Sequence, residues 1–188
     1  NDKAQIAAGS LLNEVRNLSG MVTAFLNFAR PQPLLLEQVV VSELINECAS
    51  ELEPVFQELR VELVVDTSEP LVVRADERML RLALLNLMRN GAEAIPDETA
   101  ERKVIVRTGP ATIEVRDTGS GIPLAQLQKI FIPFFTTKAK GHGVGLALTH
   151  RIITEHGGTL TAGNSPGGGA VFTIRFSHQN AQEEHKNN

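Results

Sequence analysis

Two prolines, Pro31 and Pro33, divide the 188-residue chain into two parts that must fold differently. Proline lacks the amide hydrogen and disfavours helix in the residue before it, so a helix that reaches this point ends there. Upstream, apolar residues alternate spacings of four and three, which predicts one helix over residues 4–30 with a seam typical of helical bundles: Leu11, Val15, Leu18, Val22, Phe25 and Ala29. We therefore expect residues 1–33 to associate with other helices, with packing on their own domain as the alternative.

The remainder, residues 34–177, is long enough for one well-packed domain. Hydrophobic residues make up 42% of the chain and charged residues 21%, which favours a soluble globular protein. A net charge of −4 gives no reason to expect nucleic acid or an anionic membrane as a partner. No apolar run approaches the roughly 20 residues that span a bilayer. Cys48 is the only cysteine, so we expect no intrachain disulfide and a cytoplasmic location.

Helices and strands alternate in the domain without a regular βαβ order, which predicts an α+β fold with helices on one face of a mixed sheet. Ser42 and Asp76 are expected to cap the first two helices. Glycines 167–169 are interpreted as a turn, and the polar tail 178–188 as disordered. The predicted helices cover 43–59, 77–95 and 144–155, and the predicted strands cover 61–66, 71–75, 103–108, 112–117, 159–162 and 170–176.

The helix predicted over 77–95 has two distinct faces. Its apolar face contains Leu80, Leu84, Leu87, Gly91 and Ile95, and its opposite face contains Asn86, Asn90, Glu93 and Asp97. Two asparagines one turn apart weaken a helix without an evident structural gain. An amide oxygen is a suitable ligand for a magnesium ion already surrounded by phosphates. The pattern therefore indicates a metal site, although a simply solvated face fits it too.

A second polar element, Asp117–Pro123, directly follows a predicted strand. The aspartate could accept a hydrogen bond from an exocyclic amine, and Gly119 and Gly121 would let the backbone approach a flat ring closely. An ordinary Asp-Thr-Gly turn is the alternative interpretation.

A third element, Gly141–Leu146, leads into a predicted helix. Backbone amides at a glycine-rich helix N-terminus bind anions such as phosphate. The spacing is neither that of a Rossmann motif nor that of a P-loop. Lys138 and Lys140 just upstream supply positive charge for a phosphate. Glycines that merely give flexibility, and lysines that are merely solvated, remain the alternatives.

The order of these elements resembles the ATP-binding domain of sensor histidine kinases, in the Bergerat-type ATPase superfamily. Leu84–Ala94 resembles its N box, Asp117–Ile122 its first glycine box, Ile130–Lys138 its F box and Gly141–Leu146 its second glycine box. The resemblance covers about residues 35–177. Residues 4–30 further resemble the second helix of the dimerisation and phosphotransfer hairpin.

The resemblance implies a role for each matching residue in binding ATP and Mg²⁺. It implies that Asn90 holds the metal ion, that Asp117 binds the adenine amine, and that residues 131–140 form the ATP lid. Asn90 and Lys138 are the implied catalytic residues, and Asn90 and Asp117 are expected to be exposed without ligand. The remaining implied contacts with the nucleotide are Asn86, Ile95, Gly119, Gly121, Ile122, Gly141, Gly143, Gly145, Leu146 and Thr173.

The implied function is a protein-histidine kinase that serves a response-regulator receiver domain and forms a homodimer. Residues 1–141 contain no histidine, and His142, His150 and His156 do not match the acceptor motif. The acceptor is therefore expected on a helix missing from this chain, in a parent protein that is either anchored in the inner membrane or free in the cytoplasm. A regulatory ATP-binding module without kinase turnover, and a Ser/Thr kinase of the anti-sigma type, are the alternatives.

Overall fold

The computed structural model describes residues 33–138, 141, 143–177 and 181–182. The helix predicted over 4–30 lies outside the described residues. The elements in chain order are β1 (Glu37–Val40), α1 (Val41–Glu58), β2 (Glu62–Asp66), β3 (Val72–Ala75), α2 (Glu77–Glu93), β4 (Lys103–Gly109), β5 (Thr112–Asp117), α3 (Leu124–Leu127), α4 (Gly145–Glu155), β6 (Thr159–Asn164), β7 (Ala170–Arg175) and β8 (Ala181–Gln182).

Within the described residues, the strands form a five-stranded sheet in the order β2-β4-β5-β7-β6 and a three-stranded sheet in the order β1-β3-β8. The larger sheet is mixed, because β2 runs parallel to β4 while its other neighbouring strands are antiparallel. The predicted α+β class is therefore confirmed. β8 lies in the tail that the sequence predicts to be disordered, yet its two residues pair with β3.

The core lies between one face of the larger sheet and helices α1, α2 and α4. Side chains alternate between the two faces of a strand, so every second residue of β4, β5 and β7 is buried. Helix α1 contributes Cys48, which is fully buried. Burial raises the pKa of its thiol to about 11, so Cys48 acts as a small apolar side chain.

The starts of α1 and α2 are determined in different ways. The side chain of Asp76 accepts a hydrogen bond from the Met79 amide at 3.1 Å, which confirms the predicted cap of α2. The predicted cap at Ser42 is wrong, because α1 begins at Val41 and no side chain caps it. The Val41 amide instead donates to the Leu71 carbonyl at 3.0 Å. Pairing of the chain with the segment before β3 therefore sets the first turn of α1.

His156 connects the end of α4 to the start of α2. Its Nε2 accepts a hydrogen bond from the Asp76 amide at 2.9 Å, and its Nδ1 lies 2.7 Å from the Ile152 carbonyl. An accepting Nε2 requires the proton on Nδ1, which then donates to Ile152. Since His156 is only 3% exposed, it acts as a structural residue that aligns two helices.

β1, the short helix α3 and β8 were not predicted from the amino-acid sequence. β1 pairs with β3 in antiparallel register, so the segment after the two prolines is part of the domain. Among the described residues, no helix combines the length and the apolar character that crossing a membrane requires.

Candidate functional site

A cavity of about 800 Å³ opens between α2, the loop after β5 and the segment that leads into α4. The segments that resemble the N box, both glycine boxes and the F box all contribute to its walls. Of the residues predicted from the sequence, those that line it are Asn86, Asn90, Asp117, Gly121, Ile122, Lys138, Gly141, Gly143, Gly145 and Leu146. A second groove of about 570 Å³, between α1 and β2, contains none of these motif residues.

Asp117 forms the deep end of the cavity. Its Oδ1 accepts hydrogen bonds from the amides of Gly119 at 2.8 Å and Ala170 at 3.1 Å. Both hydrogen bonds go to the same oxygen, Oδ1. Among the described residues, no donor makes a hydrogen bond to Oδ2. Asp117 is only 3% exposed, which corrects the expectation that it is exposed without a ligand. Burial raises the pKa of its carboxyl group, and the two amide hydrogen bonds partly oppose that rise.

Glycines hold Asp117 in this position through close backbone approaches. Gly169 has a φ of +79°, and a Cβ atom there would collide with the Asp117 carbonyl oxygen. At Gly119, a Cβ would lie 2.5 Å from the Ala94 carbonyl oxygen at the end of α2. The turn predicted at glycines 167–169 also has a role in the site, because it brings the Ala170 amide onto the carboxylate of Asp117.

The loop after Asp117 is fixed from the other side by Asn164, at the end of β6. The Asn164 side chain accepts from the Ile122 amide and donates to the Ile122 carbonyl, both at 2.7 Å. Gly121 adopts a φ of +75° beside it, and a Cβ there would be 2.8 Å from Asn164 Oδ1. Asn164 was not identified from the sequence, because nothing local relates it to Ile122.

The polar face of α2 forms a connected network at the opposite end of the cavity. Asn86 donates to Thr149 of α4 at 2.9 Å, and Asn90 donates to Asn86 at 3.4 Å. The Lys138 ammonium donates to Asn90 Oδ1 at 3.2 Å and to Glu93 Oε2 at 2.7 Å. Glu93 was placed on this face but not proposed as a site residue, and it also lines the cavity.

The N-terminus of α4 faces this network. Its N-cap residue, Val144, makes no side-chain capping bond, so the first amides of the helix lack a partner from the cap. A Cβ at Gly145 would overlap Asn86 Oδ1, which explains the close contact between α4 and α2. Gly143 has a φ of +66°, and its carbonyl accepts from the Phe134 amide at 2.8 Å. This end of the cavity suits an anion.

Three predicted contact residues do not line the cavity. Ile95 is 4% exposed and belongs to the core, because α2 ends at Glu93 and the following turn directs the chain inward. Gly119 packs on the end of α2 and orients Asp117 instead. Thr173 does not line the cavity, whereas Ala170 and Phe172 of the same strand do, because alternate residues of β7 face opposite sides of the sheet.

Comparisons with known proteins agree with this arrangement. Residues 75–180 match the family model described as histidine kinase-, DNA gyrase B-, and HSP90-like ATPase. The signal transduction histidine-protein kinase AtoS of Escherichia coli is 34% identical over 170 residues, which is 87% of this chain and 28% of AtoS. The chain thus spans less than a third of the length of that relative.

Two solved structures extend the comparison. Full-length ShkA in complex with AMPPNP is 27% identical with a TM-score of 0.73, and the match covers 88% of this chain and 37% of that one. Histidine kinase ThkA in complex with the response regulator TrrA is 29% identical with a TM-score of 0.71, covering 88% and 48%. The chain therefore belongs to the histidine kinase-, DNA gyrase B- and HSP90-like ATPases, as a catalytic ATP-binding domain of the sensor histidine kinase type.

Proposed function

We propose that this chain is the part of a two-component sensor kinase that binds Mg-ATP and transfers the γ-phosphoryl group to a histidine, for onward transfer to a response-regulator aspartate. One observation carries the proposal: a single cavity joins a buried carboxylate at one end to an uncapped helix N-terminus at the other. A purine nucleotide needs both features, an acceptor for its amine and a cradle for its phosphates.

At the deep end, Asp117 is the proposed adenine contact. Its Oδ1 is held by two backbone amides, so the carboxylate has a fixed direction before any ligand arrives. Its Oδ2 is the acceptor for the exocyclic amine. Ile122, Leu146 and Phe172 supply apolar surface for the purine ring.

At the other end, Asn90 is the proposed magnesium ligand, with Asn86 beside it. Among the described residues, no group of three or more His, Cys, Asp or Glu side chains could hold a metal ion. A magnesium ion would therefore take most of its ligands from phosphate oxygens and water, as is usual for nucleotide sites. When bound, the ion neutralises phosphate charge. The amides of Gly143 and Gly145 and the Lys138 ammonium are proposed to bind the same phosphates.

The transfer step itself depends on position and charge more than on acid–base chemistry. A neutral imidazole nitrogen attacks the γ-phosphorus in line, and the bond to the β–γ bridging oxygen breaks, leaving ADP. His156 cannot be the acceptor, since hydrogen bonds engage both of its ring nitrogens inside the core. The His150 ring packs on Phe131, with their centroids 5.0 Å apart. We propose that the acceptor lies on a helix outside this sequence, because His142, His150 and His156 do not match the acceptor motif.

We further propose that this chain acts with other helices and with a receiver domain. The apolar seam predicted over residues 4–30 would mediate homodimerisation in a helical bundle, and a receiver domain would take the phosphoryl group from that bundle. The complex of ThkA with its response regulator supports such a partner. We propose that the chain acts in the cytoplasm, whether or not its parent protein is anchored in the inner membrane.

Radiolabelled ATP tests the proposal. The chain alone should bind Mg-ATP by calorimetry and should not label itself. Mixed with a separate helical hairpin that carries the acceptor histidine, it should label that hairpin. Labelling of the chain alone would contradict the assignment, and tight binding without any transfer would favour a regulatory ATP-binding module.

A further inference from the structure

Within the described part of the lid segment, the Lys138 side chain makes hydrogen bonds to α2. Its ammonium lies 2.7 Å from Glu93 Oε2 and 3.2 Å from Asn90 Oδ1, so it is held between an anion and an amide oxygen. The side chains of Lys138 and Glu93 are 39% and 41% exposed, which places the pair at the rim of the cavity. We call these three residues the lysine bridge.

Two groups of the lysine bridge, Asn90 Oδ1 and the Lys138 ammonium, are also proposed to bind Mg-ATP. Asn90 Oδ1 is the oxygen proposed for magnesium, and it already accepts from Lys138. The Lys138 ammonium is proposed for phosphate, and it is already paired with Glu93. The Lys138 ammonium thus lies against the oxygen that is proposed to bind the metal ion. Because an ammonium and a magnesium ion repel each other, a metal ion at this oxygen would require Lys138 to move away from Asn90.

We propose that Glu93 is a positioning residue that holds Lys138 on Asn90 and so makes lysine and magnesium compete for the same oxygen. This inference rests on the proposed function. Glu93 stabilises the ligand-free arrangement and is left without its cation once Lys138 moves to the phosphates. The carboxylate therefore opposes nucleotide binding, both by retaining Lys138 and by repelling the phosphates.

The direction in which Glu93→Gln changes the Kd for Mg-ATP separates this role from a direct role in metal binding or catalysis. If Glu93 were a metal ligand, Glu93→Gln would weaken Mg-ATP binding, and if it were a proton acceptor, the change would slow phosphoryl transfer without tightening binding. If it retains Lys138, Glu93→Gln should tighten binding, with a Kd roughly two- to fivefold smaller, as expected for losing one partly exposed ion pair from the free state. Glu98→Gln is the matched control, since Glu98 is an exposed carboxylate outside the cavity.

A double-mutant cycle separates retention from simple repulsion. In a Lys138→Gln background there is no ammonium to retain, so Glu93→Gln should tighten Mg-ATP binding less than it does in the natural sequence. Equal tightening in both backgrounds would mean that Glu93 only repels phosphate, and would overturn the inference. Weaker binding of Glu93→Gln in the natural background would overturn it as well.

Hydrogen exchange without nucleotide gives a second measurement. Glu93→Gln and Lys138→Gln should both speed amide exchange in peptides covering residues 131–138, because Lys138 fastens this segment to α2. The Glu98→Gln control should leave this exchange unchanged. Unchanged exchange in the Glu93 variant would refute the bridge. If the natural chain fails to bind Mg-ATP at all, the proposed function fails, while exchange still decides whether Glu93 holds the segment.

Discussion

Replacing Asp117 by asparagine should change which purine the cavity prefers. The substitution keeps the size of the side chain but replaces one carboxylate oxygen with an NH2 group. Oδ1 already accepts from the amides of Gly119 and Ala170. An asparagine that keeps those two bonds must turn its NH2 group toward the ligand. That group and the adenine amine are both hydrogen-bond donors, so they cannot bond to each other. Rotating the amide the other way would set its NH2 against the two backbone donors.

The magnitude follows from the bond that is lost. A hydrogen bond to a charged group contributes about 1.5–3 kcal/mol, so the Kd for Mg-ATP should rise roughly 10- to 100-fold. Inosine triphosphate carries a carbonyl oxygen in place of the amine, and it should accept from the new NH2 group. We therefore expect the ratio of ATP to inosine triphosphate affinity to fall sharply in Asp117→Asn, or to reverse.

Calorimetry with both nucleotides and magnesium measures this ratio. Glu114→Gln is a suitable control, because it makes the same acid-to-amide change on β5 at a position on the opposite side of the sheet. The control should leave both affinities unchanged. If Asp117→Asn weakened both nucleotides equally, Asp117 would not be reading the amine, and the adenine assignment would be wrong.

The same variant has a pH signature in its stability. Burial raises the folded-state pKa of Asp117, so the folded protein favours the protonated carboxyl group. The associated stability is fully present below the unfolded-state pKa and is lost as pH rises through the folded-state pKa. Asparagine does not titrate, so in Asp117→Asn the free energy of unfolding should no longer fall as pH rises through this range. Chemical unfolding at several mildly acidic pH values measures this free energy. If its pH dependence were the same in both proteins, the raised pKa of Asp117 would be refuted.

Three further predictions concern single residues. Asn90→Asp should weaken Mg-ATP binding about tenfold, since it adds a negative charge beside the phosphates; calorimetry with and without magnesium measures this. Gly169→Ala should lower the melting temperature more than Gly168→Ala, because both have positive φ but only a Cβ at Gly169 would collide with backbone; the strain of about 1–3 kcal/mol corresponds to several degrees. Burial alone would raise the pKa of Asp76, but two backbone amides and a nearby arginine hold it below its ordinary value. The stability it confers should be lost as pH falls through its folded-state pKa, and Asp76→Asn, which keeps the cap, should lack that loss in acid unfolding.

The sequence predicts those parts of the site that follow from local geometry. The two faces of α2 follow from helical periodicity, and the structure buries the one that contains Leu84 and exposes Asn90 to the cavity. Strand periodicity could likewise have shown that Thr173 does not face the cavity. Side chains alternate between the two faces of β7, so Ala170 and Phe172 share one face and Thr173 lies on the other.

Contacts between distant segments could not be predicted in this way. The bond between Asn164 and Ile122 spans 42 residues, and the bond between Ala170 and Asp117 spans 53. Each depends on which strands become neighbours in the sheet. Ser42 shows the same limit, since pairing of the backbone before β3, rather than a favourable capping residue, determines where α1 begins.

The two faces of helix α2 explain why substitutions can affect stability and ATP binding separately. Its buried face packs in the core, and its other face contributes Asn86, Asn90 and Glu93 to the cavity. Substitutions on the cavity face remove hydrogen bonds and charges that are partly exposed, each of small weight for stability. Changes at Leu84 or Leu87 would leave cavities in the core and cost several times more. Loss of ATP binding without loss of melting temperature is therefore the expected mark of a site residue on this helix.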